Sequence, residues 1–344
     1  MRHFLPIVLL LALFVSTLPG AKTLDIYVID TEGGKAMLLI SPSGQTMLVD
    51  AGFPGYSDRD ANRIAAAAKL AGVTKFDYLV VTHYDLDHVS NVPATVARIP
   101  AVTFVDHGPA LATDAALTKA VAAYDELVAK AKHIVVKPGD RIPLAGVDVL
   151  VITSALQAIG KPVQGVVAAN PFCAETRLMT WPQANEDTSE NAASVGLLYT
   201  FGKFRMLDVA DLTWNKEIAL MCPNNPIGTV DLFMVSHHGN SVSNSPALVK
   251  AIQPRVTIMN NGARKFGAAA VIQLLKRLPG VEANYQMHWS ANAPNDNPAN
   301  AFLANLQDSP DGKWIKVSVE QTGTFTVTNG RTGESKTFKK PAVE

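Results

Sequence analysis

The strand pattern Phe76–Thr82 runs directly into His83-Tyr84-Asp85-Leu86-Asp87-His88, so four side chains able to ligate a metal fall within six residues at the end of a buried strand. That juxtaposition limits the fold severely. A site of this kind is assembled where the carboxyl ends of several strands of an α/β sheet meet. Two later segments end in the same way. The strand-like segment Phe204–Ala210 leads into Asp211, and Val230–Ser236 leads into His237-His238-Gly239. Imidazole and carboxylate suit Zn²⁺, Mn²⁺ or Fe rather than Cu(I). At a strand-to-helix turn, His83 and Asp85 can face one point while Asp87 and His88 face a neighbouring one, so two adjacent metal positions are expected.

The remaining pattern agrees with a layered α/β chain. Leu24–Asp30, Lys35–Ile40 and Thr46–Val49 read as a β-meander punctuated by Gly33-Gly34 and Ser41-Pro42-Ser43-Gly44. Helices are expected over Asp60–Leu70, over Thr113–Lys132, from Ser245-Pro246 onward and over Ala268–Leu278. Strands are expected at His133–Val136, Val147–Ile152, Ser194–Thr200 and Arg255–Met259. Trp314–Glu320 and Thr324–Thr328 flank Gln321-Thr322-Gly323 as a hairpin, and Thr153–Glu190 reads as a long irregular excursion.

Residues 1–21 read as a secretory signal peptide. Arg2 and His3 precede an apolar run, Phe4 to Val15, too short to span a bilayer as a helix. The domain reading is therefore a leader over 1–21, a catalytic domain over 22–290 and a C-terminal extension with a β-hairpin over 291–344. Export places Cys173 and Cys222 in a compartment that permits a disulfide between them. The whole chain carries 30 basic and 30 acidic residues, which excludes the electrostatic footprint of a non-specific nucleic-acid binder. No Gly-x-Ser-x-Gly elbow supports a serine nucleophile, and Gly33-Gly34-Lys35 is too short for a phosphate-binding loop.

As a set, these motifs resemble the metallo-β-lactamase superfamily, whose signature is H-x-H-x-D-H after a strand. The H-x-D-x-D-H variant of His83–His88 is similar to the metallo-hydrolase domain of competence DNA-uptake (ComEC-type) proteins and their secreted relatives. Asp30–Ala36, Leu48–Gly52, Asn191–Ser194, Val209–Leu212 and Ser236–Asn240 match further segments of that subgroup. The resemblance implies a four-layer αβ/βα sandwich with a small C-terminal β extension. It also implies that His83, Asp85 and one of His237 or His238 hold a first metal, and that Asp87 and His88 hold a second. Asp211 would bridge the two, and Asp50 would orient ligands by hydrogen bonds. Asp87 and Asp211 are then the expected catalytic carboxylates, with two Zn²⁺, or Mn²⁺ or Fe in their place. Lys265-Phe266-Gly267-Ala268 stands where the subgroup often has a late G-H-P, which leaves His288 as a candidate for the missing ligand. His107 and Asn191 are further candidates for the cleft.

The function expected is that of an exported metal-dependent hydrolase acting on a phosphodiester or phosphoester. Its substrate would be a small molecule or a polymer, with nucleic acid entering only as substrate and no stable membrane partner. Hydrolysis of a β-lactam or lactone is the alternative, with Asp85 in place of the superfamily's second histidine arguing against it. A non-catalytic metal-binding protein on the same fold is the other, resting on the missing late histidine.

Overall fold

The computed structural model describes residues 23–111, 114–163, 168–176, 187–306 and 311–340. The expected signal peptide lies outside the described residues. Strict alternation along the first strands builds the architecture. In Leu24–Val28 and the residue after it, Ile26 and Val28 face one apolar layer, while Tyr27 and Ile29 face another. Met37 and Leu39 against Leu38, and Met47 and Val49 against Leu48, divide in the same way. Successive strand side chains point to opposite faces, so a strand apolar at every position must be covered on both sides.

Two nine-stranded sheets result. The first runs Ser335–Phe338, Phe325–Asn329, Ile315–Val319, Leu24–Val28, Met37–Ile40, Thr46–Val49, Phe76–Val80, Ala101–Asp106 and Lys132–Val135. It is antiparallel up to Thr46–Val49 and parallel beyond. The main path of the second runs Leu303–Asn305, Ala283–His288, Val256–Met259, Leu232–Met234, Phe204–Asp208, Gly196–Phe201, Asp148–Ser154 and Arg141–Ile142. Its first five strands are parallel and the rest antiparallel.

Apolar side chains from the inner faces of both sheets form one core, including Ile26, Leu39, Val149, Tyr199, Phe204 and Ile258. Arg59–Leu70 and Ala115–Val128 cover the outside of the first sheet, and Trp214–Met221, Pro246–Ile252 and Ala269–Lys276 cover the outside of the second. The helix starts are chemically explicit. The Asp114 carboxylate accepts from the N–H groups of Ala116 and Leu117, at 3.0 and 2.9 Å, and Ser245 Oγ accepts from Leu248 N–H at 3.3 Å. Four layers, helix–sheet–sheet–helix, are thereby stacked.

The C-terminal β extension joins both sheets. The expected hairpin forms, Ile315–Val319 pairs antiparallel with the first strand, Leu24–Val28, and Leu303–Asn305 joins the second sheet. The strands Leu303–Asn305, Ile315–Val319 and Phe325–Asn329 are thus woven into the two sheets, and Val317, Val319, Phe325 and Val327 bury their side chains in the inter-sheet core. Among the described residues no helix is long and apolar enough to cross a membrane. The excursion after Thr153 holds short pieces of structure, and its one-turn helix Cys173–Thr176 is tied to the end of Trp214–Met221 by the Cys173–Cys222 disulfide. Replacing both cysteines by alanine should lower the urea-unfolding free energy by roughly 2–4 kcal/mol, leaving the circular-dichroism spectrum native.

Candidate metal centre

Parallel strands of both sheets end at the same edge of the sandwich, and their following residues converge there. Asp50, after Thr46–Val49, is fully buried and adopts a positive φ of 60°. Its carboxylate accepts from Thr82 N–H at 2.8 Å and from Thr82 Oγ at 2.8 Å, and it takes His88 Nδ1 at 2.9 Å. With Nδ1 donating to Asp50, His88 is left with Nε2 turned toward the centre, the arrangement by which an outer carboxylate orients a ligating imidazole. Around that nitrogen, Asp87, His88, Asp211 and His238 bring one ligand atom each to within 4.8 Å of one another, all buried. His238 Nε2 lies 3.1 Å from Asp211 Oδ2, 3.2 Å from Asp87 Oδ2 and 3.3 Å from His88 Nε2.

This grouping redistributes the expected ligands. His238 stands with Asp87 and His88, not with His83 and Asp85, because His237 and His238 both take positive φ values, 52° and 53°. The reversed backbone sends the two rings apart. His237 Nδ1 meets Ser243 Oγ at 3.2 Å and its Nε2 is 3.6 Å from Asp211. His83 and Asp85 form a neighbouring pair, Nε2 to Oδ2 at 3.6 Å, and Asn191 donates to the same Asp85 oxygen at 2.9 Å. The His83 and His88 rings are 4.0 Å apart, which places the pair beside the four-residue set.

Two candidates fall elsewhere. His288 does not enter the cluster: its Nε2 is taken by Asp30 at 2.7 Å and lies 3.4 Å from Glu32, in a separate group closed by Arg63. His238 fills the place for which His288 was considered, so Ala268 costs the four-residue set no ligand. His107 pairs with Glu190 at 3.2 Å and packs its ring edge-on against Tyr84.

The electrostatics fit a cation. Burial by itself would depress the His88 imidazole, but Asp211, Asp50 and Asp87 outweigh it and raise it well above its ordinary value. His238 is raised against burial in the same way, chiefly by Asp211. Burial opposes ionisation of Asp87 and Asp211 as well, yet the surrounding histidines hold both carboxylates well below their usual range. His237 is pushed down to about 4, burial prevailing over Asp211. The two carboxylates thus favour positive charge at this point, and His83 Nε2 is buried with no hydrogen-bond partner among the described residues. Two imidazoles and two carboxylates are a donor set for a borderline divalent transition metal.

Several residues of the site have no local sequence signal. Lys35 is buried between the sheets with Nζ 2.6 and 2.7 Å from the oxygens of Asp208 and 4.0 Å from Asp50. Glu190 binds His107, the Tyr84 N–H at 3.2 Å and the Leu111 N–H. Lys265 contacts Asp87, and Phe266 stacks on His238 with 5.7 Å between ring centroids. These contacts join positions far apart in the chain, 173 residues for Lys35 and Asp208 and 178 for Lys265 and Asp87. The Gly33-Gly34-Lys35 turn was the available hint for the first, and the departure at Lys265 for the second.

A family model described as the metallo-beta-lactamase superfamily matches residues 30–160, the stretch that holds Asp50 and the His83–His88 cluster. The fold is of the metallo-β-lactamase type. Among solved structures, a metal-dependent hydrolase of the beta-lactamase superfamily is similar at 12% identity with a TM-score of 0.46, over 78% of this chain and 97% of that one. A diphosphatase of the PhnP family is similar at 10% identity with a TM-score of 0.39, over 86% and 98%. The diiron β-hydroxylase CmlA of Streptomyces venezuelae is similar at 14% identity with a TM-score of 0.43, over 78% of this chain but only 53% of that one, so the chain spans about half of that protein. No curated protein matches the chain in sequence.

Two outcomes follow from the charges. A metal held here would compete with protons for the same imidazole nitrogens, so calorimetry in buffers of different ionisation enthalpy should show proton release on Zn²⁺ binding, and the apparent affinity should fall as pH drops from 8 to 6. Glu190 is held at about 2, where His107 and two backbone N–H groups overcome the effect of burial. Its contribution is present above about pH 4.5 and lost as pH falls toward 2. In the metal-free chain, Glu190→Gln should cost roughly 1–3 kcal/mol at pH 7 by urea unfolding, and that deficit should shrink at pH 3.

Proposed function

We propose that this chain is an exported metal-dependent hydrolase acting on phosphodiesters or phosphoesters, akin to the metallo-hydrolase domain of competence-type proteins. The convergence of Asp87, His88, Asp211 and His238 on one buried point carries the reading. Bound there, a divalent metal supplies Lewis-acid polarisation of the scissile group and activation of water. The chain's own residues do the rest. Asp50 orients His88, Asp211 and Asp87 hold negative charge at the centre, and Lys35 offsets that charge from behind. Asp85, in place of a second histidine, supports the phosphoester reading over a β-lactam. The apolar leader pattern and the Cys173–Cys222 disulfide support export.

Elemental mass spectrometry of the purified mature chain, together with turnover of bis(p-nitrophenyl) phosphate and of a chromogenic β-lactam, tests the proposal. The expected result is bound transition metal and diester hydrolysis that is abolished by chelation and restored by metal. Asp211→Asn should lower both metal affinity and turnover by more than about a hundredfold, and Asp50→Asn by about 10- to 100-fold, with native circular dichroism in both. Turnover of the β-lactam alone, or a chain free of metal with neither substrate hydrolysed, overturns it.

A further inference from the structure

We infer that Lys265 is the second cation of this centre: one divalent metal on Asp87, His88, Asp211 and His238, and the Lys265 ammonium beside it, together receive the anionic oxygens of a phosphoester. The inference rests on the reading of the four-residue set as a metal site.

The lysine is stationed by backbone packing. The Gly262 N–H donates to the Lys265 carbonyl at 3.1 Å, closing a tight turn. Gly33, at φ 91°, lies flat against that turn, where a Cβ would fall 2.8 Å from Gly262 N and 2.9 Å from Lys265 Cβ. A Cβ on Gly34 would lie 2.8 Å from the Asp87 carbonyl oxygen, which accepts from Lys35 N–H at 3.2 Å. The two adjacent glycines therefore bring the lysine turn and the Asp87 backbone against one strand connection, and only residues without side chains allow it.

The ammonium itself is partly exposed to solvent. Its Nζ contacts Asp87 Oδ2 and stands 4.4 Å from the ring centroid of Phe53 and 5.0 Å from that of Phe266. The lysine side chain is 30% exposed, whereas the four ligands beneath it are buried, so its charge is met before theirs by a molecule arriving from solvent. Among the described residues Asp87 is the one carboxylate paired with it, and the flanking rings offer faces, not hydrogen-bond acceptors.

The second metal position is correspondingly poor. His83 and Asp85 stand 3.6 Å apart with the Asp85 oxygen shared with Asn191, and His237 Nδ1 is met by Ser243 with Nε2 3.6 Å from Asp211; among the described residues these three join no group of three converging ligand atoms. Phosphoryl transfer needs positive charge on more than one side of the reacting group, and lysine and arginine serve that purpose as well as a second metal. A fixed ammonium on a metal-ligating carboxylate meets the need without a second complete ligand set.

The test compares the full mature chain with Lys265→Met and Lys265→Arg. Zn²⁺ or Mn²⁺ titration by calorimetry, checked by elemental mass spectrometry, should give one tight equivalent for the parent. Inorganic phosphate should bind the metal-loaded parent, lose at least tenfold in affinity with Lys265→Met, and recover with Lys265→Arg. Turnover of bis(p-nitrophenyl) phosphate should fall about 10²–10³-fold in the Met variant, while one equivalent of metal is retained. Two tight equivalents in the parent overturn the inference whatever the activity. One equivalent with phosphate affinity unchanged in Lys265→Met overturns it as well, and leaves the metal-site reading standing. A parent chain that binds no metal removes both readings.

Discussion

A single buried ammonium holds the two halves of this site together. Lys35 leaves the first sheet and places its Nζ against Asp208 of the second, with Asp50 at 4.0 Å. Asp50 in turn carries Thr82 and His88. Asp208 and Asp50, both buried, would repel one another without that counter-charge. An uncompensated buried charge costs several kcal/mol, so the approach of the two carboxylates depends on this lysine. Burial works against that charge, but Asp208 and Asp50 keep Lys35 protonated, above its ordinary value.

The centre also concentrates unusual backbone. Asp50, Ala210, His237, His238 and Phe266 all have φ between 49° and 60°. For residues with a Cβ this conformation is costly and persists only where surrounding structure imposes it. Ala210 precedes Asp211 at a φ that only glycine adopts without penalty. Reversals at strand ends let consecutive residues aim at different points, which is how His237 and His238 serve different surroundings.

From these two constraints a chemical division of labour emerges. The deep layer, Lys35, Asp208, Asp50 and Thr82, sets charge and orientation. The middle layer, Asp87, His88, Asp211 and His238, is the group whose ligand atoms converge closely enough to hold a metal. Lys265, Phe53 and Phe266 make the outer rim, with His83, Asp85 and Asn191 alongside. Each layer draws on both ends of the chain, so the site exists only when the two sheets are docked.

Much of this was legible in residue order. The alternating apolar strands, the helix start at Ser245, and the polar clusters after Phe76–Val80, Phe204–Asp208 and Leu232–Met234 are local signals, and the layered α/β fold follows from them. Candidate ligands were legible too, because a metal-capable side chain at a strand end is recognisable without its partners. What tertiary structure decided was grouping. Two consecutive histidines cannot be told apart by sequence, and only the positive φ at each assigns His238 to Asp87 and His88. His288 looked free in an aromatic strand and proved committed to Asp30, 258 residues away. The C-terminal hairpin reads as an appendage until its apolar face finds the first strand. The sequence by itself determined the strands, the helices and the candidate ligands, since these depend on neighbours in the chain. Charge pairing through Lys35, Glu190 and Lys265 was left to the folded state, since it depends on neighbours in space.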